Sequence, residues 1–426
     1  MSRTIPETHK GLHEPCQNDE VFKIQNITIY GAIQGGSRLR KVGIFSHFLG
    51  GVLSAGPTKA AELGLILLMA LARITLTDFR NHRDTTFDGA GGFNLLVGPN
   101  GAGKTNVLEA ISLLSPGRGL RRALLGELAG REGAGGFAVG ATLAGEGAAR
   151  IGTAADPAKP NRRRVRINGA DTSASALAEW LAVGWLTPAM DGLFTASAGE
   201  RRRYLDRLAL GLEPGHASKV ARYEAALRER NRLLSDQAPP DPQWIDAIET
   251  QMAQAGSDLS EGRSALVDVL MGEIVRHGEG SFPRPALTYL PGGPTGYEAL
   301  SQALHEGRAR DRAAGRTLTG PHRDDLEVFY AAKQRAAAQS STGEQKALLI
   351  AITLSHAALS ARGRPAVLLL DEVAAHLDPD RRAALFERLE GAGIQVWVTG
   401  TERAPFSSIA DRAAIWDVRA GTASRL

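Results

Sequence analysis

The chain has 426 residues, 43% hydrophobic and 23% charged, with a formal net charge of +4 and a pI near 9.3. That length exceeds one simple core and suffices for two or three domains, and the mild basicity permits a nucleic-acid partner without requiring one. The single cysteine, Cys16, excludes a disulfide framework or a cysteine zinc site and fits a reducing compartment, and the longest apolar run, 63–71, is far short of the roughly 20 residues of a membrane helix.

Residues 1–68 carry Gly-Gly pairs and scattered charges with no sustained period. Two readings stand for them: upstream translation ahead of a true start at Met69, or a genuine, largely disordered extension. Organised sequence begins at Ala70, where Ile74 and Leu76 alternate with threonines as in a half-buried strand. A second apolar run, Phe93 to Val97, leads into Gly98-Pro99-Asn100-Gly101-Ala102-Gly103-Lys104-Thr105. This stretch fits the phosphate-loop pattern G-x-x-x-x-G-K-[ST] without a mismatch. Its glycines let backbone N–H groups turn inward around a phosphate chain, Lys104 supplies a point charge, and the Thr105 hydroxyl suits a magnesium ion. Val107, Leu108, Ile111 and Leu114 then recur at helical spacing, so a helix begins at the phosphates and ends near Ser115-Pro116-Gly117.

Residues 133–170 hold short β-like pieces, with Asn168-Gly169 as a hairpin turn and the basic run Asn161 to Arg166. From Ser175 to Arg276 the pattern is mostly helical, with Pro239-Pro240-Asp241-Pro242 dividing it into two arms too short for a long coiled coil. Residues 278–315 read as a mixed linker, and strand-like sequence returns at Leu318 and at 326–330. The expected division is an N-terminal extension (1–68), an N-terminal head part (69–174), a helical lobe (175–316) and a C-terminal head part (317–426).

Residues 365–372, Pro-Ala-Val-Leu-Leu-Leu-Asp-Glu, form an apolar strand ending in two acids. Such a strand is buried on both faces. Asp371 would bind magnesium through water and Glu372 would orient or deprotonate the attacking water, since phosphoryl transfer needs mainly positioning and charge neutralisation. Ahead of it stands Ser341-Thr342-Gly343-Glu344-Gln345-Lys346 opening a helix, a second anion site. One chain already has a complete phosphate loop, so this signature points to a dimer in which each chain caps the other's ATP; Ala375-His376-Leu377-Asp378 suits that contact. The wide separation of Lys104 and Asp371, with the signature just ahead of the acidic strand, looks like an α/β ATP-binding-cassette head with an inserted, mainly helical second lobe.

The ordered motifs resemble the RecF family, bacterial recombination and repair ATPases related to SMC heads. They are Asp78-Phe79-Arg80-Asn81-His82; the phosphate loop with Asn106; Ser115-Pro116-Gly117-Arg118-Gly119; Arg201 to Arg207; Arg228 to Leu234; Gly320-Pro321-His322-Arg323-Asp324-Asp325-Leu326; the Ser341 to Lys346 signature; and the acids with His376-Leu377-Asp378. Of these, the Arg-Arg-x-[FY]-Leu-Asp and Gly-Pro-His-Arg pieces are far more specific than the phosphate loop. The resemblance spans about residues 72–426. It implies a cytoplasmic, nucleoid-associated protein without a membrane partner. Such a protein dimerises on ATP and Mg2+, hydrolyses ATP slowly and binds double-stranded DNA near single-strand gaps. It works with RecR and RecO to help load RecA. By matching position, Lys104, Thr105 and Asp371 bind nucleotide and magnesium, Glu372 is catalytic, and Ser341 and Gly343 act across the dimer. Residues 1–68 have no counterpart, no glutamine stands at Trp185 to Pro188, and Thr399 is followed by Gly400-Thr401 rather than a switch histidine.

Arg118, Arg121, Arg122, Arg162, Arg163, Arg164, Arg201 and Arg202 are candidate phosphate contacts. A solvated charged face, or a structural role for Arg201 to Arg207 with Asp206 pairing an arginine, is the competing reading. If about five phosphates are neutralised, the log–log salt slope is about −4 to −5. The alternative function is the nucleotide-binding subunit of a membrane transporter.

Overall fold

The computed structural model describes residues 70–426, apart from 146, 147, 237, 239, 279, 363, 375 and 376. The stretch 1–68, Met69, and the Ala375-His376 half of the expected dimer-contact loop lie outside the described residues.

The chain opens with the hairpin β1 (Leu71–Phe79) and β2 (His82–Asp88), turned through Arg80 at φ 56°. The fully buried β3 (Phe93–Val97) feeds α1 (Lys104–Ser112), which begins behind Gly103 and stops at Ser112, slightly earlier than its apolar period suggests. Four antiparallel strands follow: β4 (Phe137–Leu143), β5 (Arg150–Asp156), β6 (Lys159–Ile167) and β7 (Ala170–Thr172). Asn168 and Gly169 both take positive φ, 50° and 85°, in the tight turn joining the last two. Next come β8 (Ala182–Leu186) and three long helices, α2 (Ala198–Leu212), α3 (His216–Ser235) and α4 (Pro242–His277). Ser197 and Glu200 form a capping box at α2, and Asp241 caps α4 by accepting from the Gln243 and Trp244 amides, with Pro242 in the first turn. Then come β9 (Pro285–Leu290), α5 (Tyr297–Glu306), α6 (Arg308–Ala313), β10 (Asp325–Tyr330), β11 (Arg335–Ala336) and α7 (Thr342–Ser360). The chain closes with β12 (Ala366–Leu370), α8 (Pro379–Gly391), β13 (Gln395–Gly400), β14 (Ala413–Arg419) and β15 (Thr422–Arg425).

Three expectations are corrected. Residues 182–186 fall inside the stretch read as helical, yet β8 pairs in parallel with β12, Leu186 opposite Leu370. Five residues are too few for either period to show, and flanking helical sequence masks them. Residues 278–315 are not a linker: β9 pairs antiparallel with β10, α5 packs on α4, and α6 packs on α3. No strand forms at Leu318; it starts at Asp325.

The strands make three sheets. The first runs β2-β1-β4-β5-β6-β7 and is wholly antiparallel. The central one runs β15-β14-β3-β13-β12-β8, parallel except for β15. The third, β11-β10-β9, is small. One apolar core lies between the first sheet, α1 and the central sheet; it includes Phe87 set edge-on to Trp397 and Trp416 at 5.6 and 5.1 Å. Gln395, fully buried, spans the two layers by donating to the Leu71 and Gly91 carbonyls (2.9 and 3.0 Å) and accepting from the Leu71 amide (3.0 Å). A second core packs the opposite face of the central sheet against α2, α4, α7 and α8.

Buried ion pairs fix the helical elements to the head. Arg263 of α4 is 3% exposed; it donates twice to Asp206 of α2 (2.9 Å each), once to Asp324 (2.7 Å) and once to the Pro321 carbonyl (2.7 Å). Arg230 of α3 lies fully buried among Glu249, Asp311, Thr317 and the Leu304 carbonyl, at 2.7–3.0 Å. Tyr223 and His322 meet at 2.8 Å, and His322 reaches the Thr317 carbonyl at 2.9 Å through its other nitrogen.

His356 of α7 is buried against Gly211 and donates from Nε2 to the Leu208 carbonyl at 2.8 Å; burial pushes its pKa down to about 4. Unfolded histidine takes a proton below about 6.5 whereas the native ring resists until about 4, so this group costs stability as pH falls through that window and nothing above it. We expect His356→Gln to flatten the fall in unfolding free energy between pH 6.5 and 4, a difference of about 3 kcal/mol at the acid end. Urea titrations of both proteins across that range are the check.

Candidate nucleotide-binding site

The phosphate loop sits between the C-terminal end of β3 and the start of α1, at the carboxyl edge of the central parallel sheet. Gly98 has φ 159°, and a Cβ there would drive into the Val418 carbonyl of the neighbouring strand. Gly103 has φ 113°, and a Cβ would strike Asn81 and His82. The β1–β2 hairpin therefore clasps the loop from behind. Asn81 donates to the Ala102 carbonyl (3.0 Å), His82 Nε2 meets the Gly103 carbonyl (3.1 Å), and the Gly421 amide donates to Ala102 (3.0 Å). Burial lowers the His82 pKa, which suits a neutral ring donating to that carbonyl. Asn106 donates to Asn81 at 2.8 Å and accepts from Arg121 at 2.8 Å, so it faces the hairpin. Pro99, Asn100 and Gly101 form the exposed rim, and Ala102 is buried.

Lys104 is 5% exposed and folds back so that its ammonium donates to the Gly98 and Pro99 carbonyls at 2.7 and 2.9 Å. Burial lowers its pKa, and the charges of Glu372 and Asp371 oppose that shift. Thr105 donates to Asp371 Oδ1 at 2.9 Å, so α1 and the tip of β12 meet at this carboxylate. Its other oxygen has no partner among the described residues. Glu372, directly after it, has φ 54°, a conformation non-glycine residues seldom adopt outside functional sites.

A residue without an assigned role in the sequence joins these two acids. Thr399, at the end of β13, is 1% exposed; its hydroxyl donates to Asp371 Oδ1 at 2.9 Å and accepts from the Glu372 amide at 2.9 Å. It thereby fixes the Asp371 carboxylate and pins the strained Glu372 backbone. The only sequence trace of this role is a hydroxyl ending an apolar strand.

The signature residues lie at the start of α7. Ser341 and Glu344 form a reciprocal capping box, Ser341 donating its amide to Glu344 at 2.9 Å. Ser341, Thr342 and Gly343 are exposed, and Glu344 is held by Lys333 and Arg335, with its carboxyl brought down to about 2 by the Lys333 pair and the Ser341 amide.

The candidate arginines separate into two groups. Arg163 donates to Thr153 (2.8 Å) and to the Leu113, Ser115 and Gly117 carbonyls; burial lowers its guanidinium to about 10. It anchors the turn after α1. Arg201 forks onto Asp325 at 2.6 and 2.7 Å, Arg202 donates to the Asp324 carbonyl at 2.6 Å, Arg121 pairs with Glu109 at 3.2 Å, and Arg164 shares Asp171 with Arg166. Each of these arginines has an acid or carbonyl partner within the chain, with Arg201 and Arg202 half-buried and Arg121 and Arg164 exposed. Arg118, Arg122 and Arg162 are exposed. Burial, together with the charges of Arg203 and Arg118, lowers the Arg122 guanidinium, so these three cations share one patch with Glu200 and Glu224 nearby.

The phosphate loop at a parallel-sheet edge, the acids on β12 and the inserted helices define an ATP-binding-cassette head of the SMC type. Residues 70–423 match the family model for the RecF/RecN/SMC N-terminal domain. The chain is 49% identical over 367 residues to the DNA replication and repair protein RecF of Mesorhizobium japonicum, covering 83% of this chain and 97% of that one. It is 46% identical to the RecF of Brucella suis, covering 83% and 95%. The structure is similar to that of the recombination mediator protein RecF-ATP in the RecFOR pathway, with a TM-score of 0.74 at 23% identity, covering 84% of this chain and 98% of the other. The chain belongs to the RecF family of DNA replication and repair proteins.

Thr399 acts on the acids from behind, so its loss should separate turnover from binding. We expect Thr399→Val to lower kcat for ATP hydrolysis about tenfold or more with the nucleotide Kd little changed, and Thr399→Ser to restore most of it. Steady-state hydrolysis beside nucleotide titration is the measurement.

Proposed function

We propose that this protein is an ATP-dependent DNA-binding protein of recombinational repair and replication restart. It closes into a homodimer on ATP at gapped duplex DNA and works with RecR and RecO in loading RecA. The observation that carries the ATP part is the single carboxylate, Asp371, bonded to the phosphate-loop threonine and to Thr399 beside Glu372. The DNA part rests on family membership, on relatives named for replication and repair, and on the exposed patch of Arg118, Arg122 and Arg203. A RecF structure named for ATP and the RecFOR pathway supports the nucleotide and the partner proteins.

Lys104 would leave the Gly98 and Pro99 carbonyls for the phosphates, which are stronger acceptors. Thr105 and Asp371 fit a magnesium ion, which would neutralise phosphate charge as the leaving group departs. Glu372 would orient water and take its proton while the water oxygen bonds to the γ-phosphorus and the bond to the β–γ bridging oxygen breaks. Ser341 and Gly343, exposed on α7, would reach the partner's γ-phosphate. The absence of a glutamine near Trp185 and of a histidine after Thr399 supports slow turnover. Among the described residues no helix is long and apolar enough to cross a membrane. A cytoplasmic, nucleoid-associated site of action fits a DNA partner.

We expect Glu372→Gln to cut hydrolysis about a hundredfold while ATP-bound dimer accumulates, and Lys104→Met to lose nucleotide binding. Fluorescence anisotropy on gapped duplex should show tight binding with ATP and none with Lys104→Met. Wild-type turnover in Glu372→Gln, or DNA binding indifferent to nucleotide, would remove this mechanism.

A further inference from the structure

Between the first turn of α2, the last turns of α3 and the loop before β10 lies a cleft of about 470 Å3. Its walls carry Arg202, Arg316, Arg323 and Asn231 with Ala198 and Gly199 at the start of α2, and none of its lining residues is acidic. The run Gly320 to Asp325 is otherwise consumed by the buried joint. Gly320 holds φ 127° beneath the Tyr223 hydroxyl, the Pro321 carbonyl accepts from Arg263, and His322 bridges Tyr223 and Thr317. Asp324 pairs with Arg263 and Asp325 with Arg201. Arg323 alone of this run faces out, and neither it nor Arg316 has an ion-pair or side-chain hydrogen-bond partner among the described residues. Arg202 spends one nitrogen on the Asp324 carbonyl, and Asn231 accepts from Thr317 through its oxygen, leaving its amide N–H groups over. Three guanidiniums and a side-chain amide therefore converge while the neighbouring carboxylates are already committed. Asp324, Asp325 and Asp206 act on Arg202 from beside the cleft but are paired with Arg263 and Arg201, and the guanidinium fork matches phosphate oxygens.

We propose that this cleft is a second phosphate site, separate from the phosphate loop, which takes a dianionic phosphate monoester. Two sources carry that group: the phosphorylated end of a DNA strand, or a small free phosphate. The strand-end form rests on the DNA-binding reading above; the small-phosphate form does not. Arg316 and Arg323 lie outside the ATP site, so Arg316→Gln and Arg323→Gln leave basal hydrolysis unchanged.

The test uses the full chain with ATP and gapped duplexes whose gap ends carry a 5′-phosphate, a 3′-phosphate or only hydroxyls. Thermal unfolding in inorganic phosphate against chloride at matched ionic strength runs in parallel. A strand-end site gives about tenfold tighter binding to one phosphorylated end, lost in Arg316→Gln and Arg323→Gln. A small-phosphate site gives no end preference but a rise in Tm with phosphate that both variants abolish. ATP-dependent DNA binding that ignores end chemistry, with no phosphate-dependent Tm shift, overturns the second site and leaves the clamp intact. Absence of DNA binding by the wild type removes the clamp, and the Tm arm still decides the cleft.

Discussion

Arg263 is the charge on which the architecture turns. Placing a guanidinium in the interior costs several kcal/mol, and only complete pairing offsets it. Asp206 supplies two oxygens and Asp324 one, so a single side chain on α4 reads the position of α2 and of the loop entering β10 together. Arg230 does the same for α3, α4 and α6 through Glu249 and Asp311. The helical elements are thus held by directional ion pairs as well as by apolar packing, and any displacement strands a charge.

This joint explains the most distinctive motifs of the sequence. The Arg201 to Arg207 and Gly320 to Leu326 runs are rich in charge, and Arg201 and Arg202 read from the sequence as candidate phosphate contacts. Most of that charge faces inward. Arg201 meets Asp325, Asp206 meets Arg263, and His322 rests between Tyr223 and Thr317. Charge density along a chain does not distinguish an exposed patch from a buried pair, because the partner lies on another element.

The same distinction sets what was legible beforehand. The phosphate loop, the acidic strand tip and the signature helix are local patterns, and the structure places them on a strand–loop–helix, a strand end and a helix start. Tyr204 and Leu205 lie in the core, and Asp206 pairs with Arg263, as the structural reading of that run expects. β8 was invisible because five residues carry no period. The internal bonds of Arg163 were invisible because its acceptors are carbonyls of the distant turn after α1. Thr399 carried no motif; its role exists only where β13 and β12 lie side by side.

The central sheet has a further consequence for how the protein is made. β3 lies between β13 and β14, both of which are specified about 300 residues later. The antiparallel meander of β1, β2, β4, β5, β6 and β7 has its partners close at hand in sequence and can form while the chain is still emerging from the ribosome. β3, although translated early, must wait with Leu95 and Val97 uncovered until the late elements of the second core are made. Distant parallel pairing folds slowly and exposes apolar surface meanwhile. The glycine-rich loop that follows β3 is therefore among the first segments synthesised and the last to be set in place, because Gly98 packs against the Val418 carbonyl of β14.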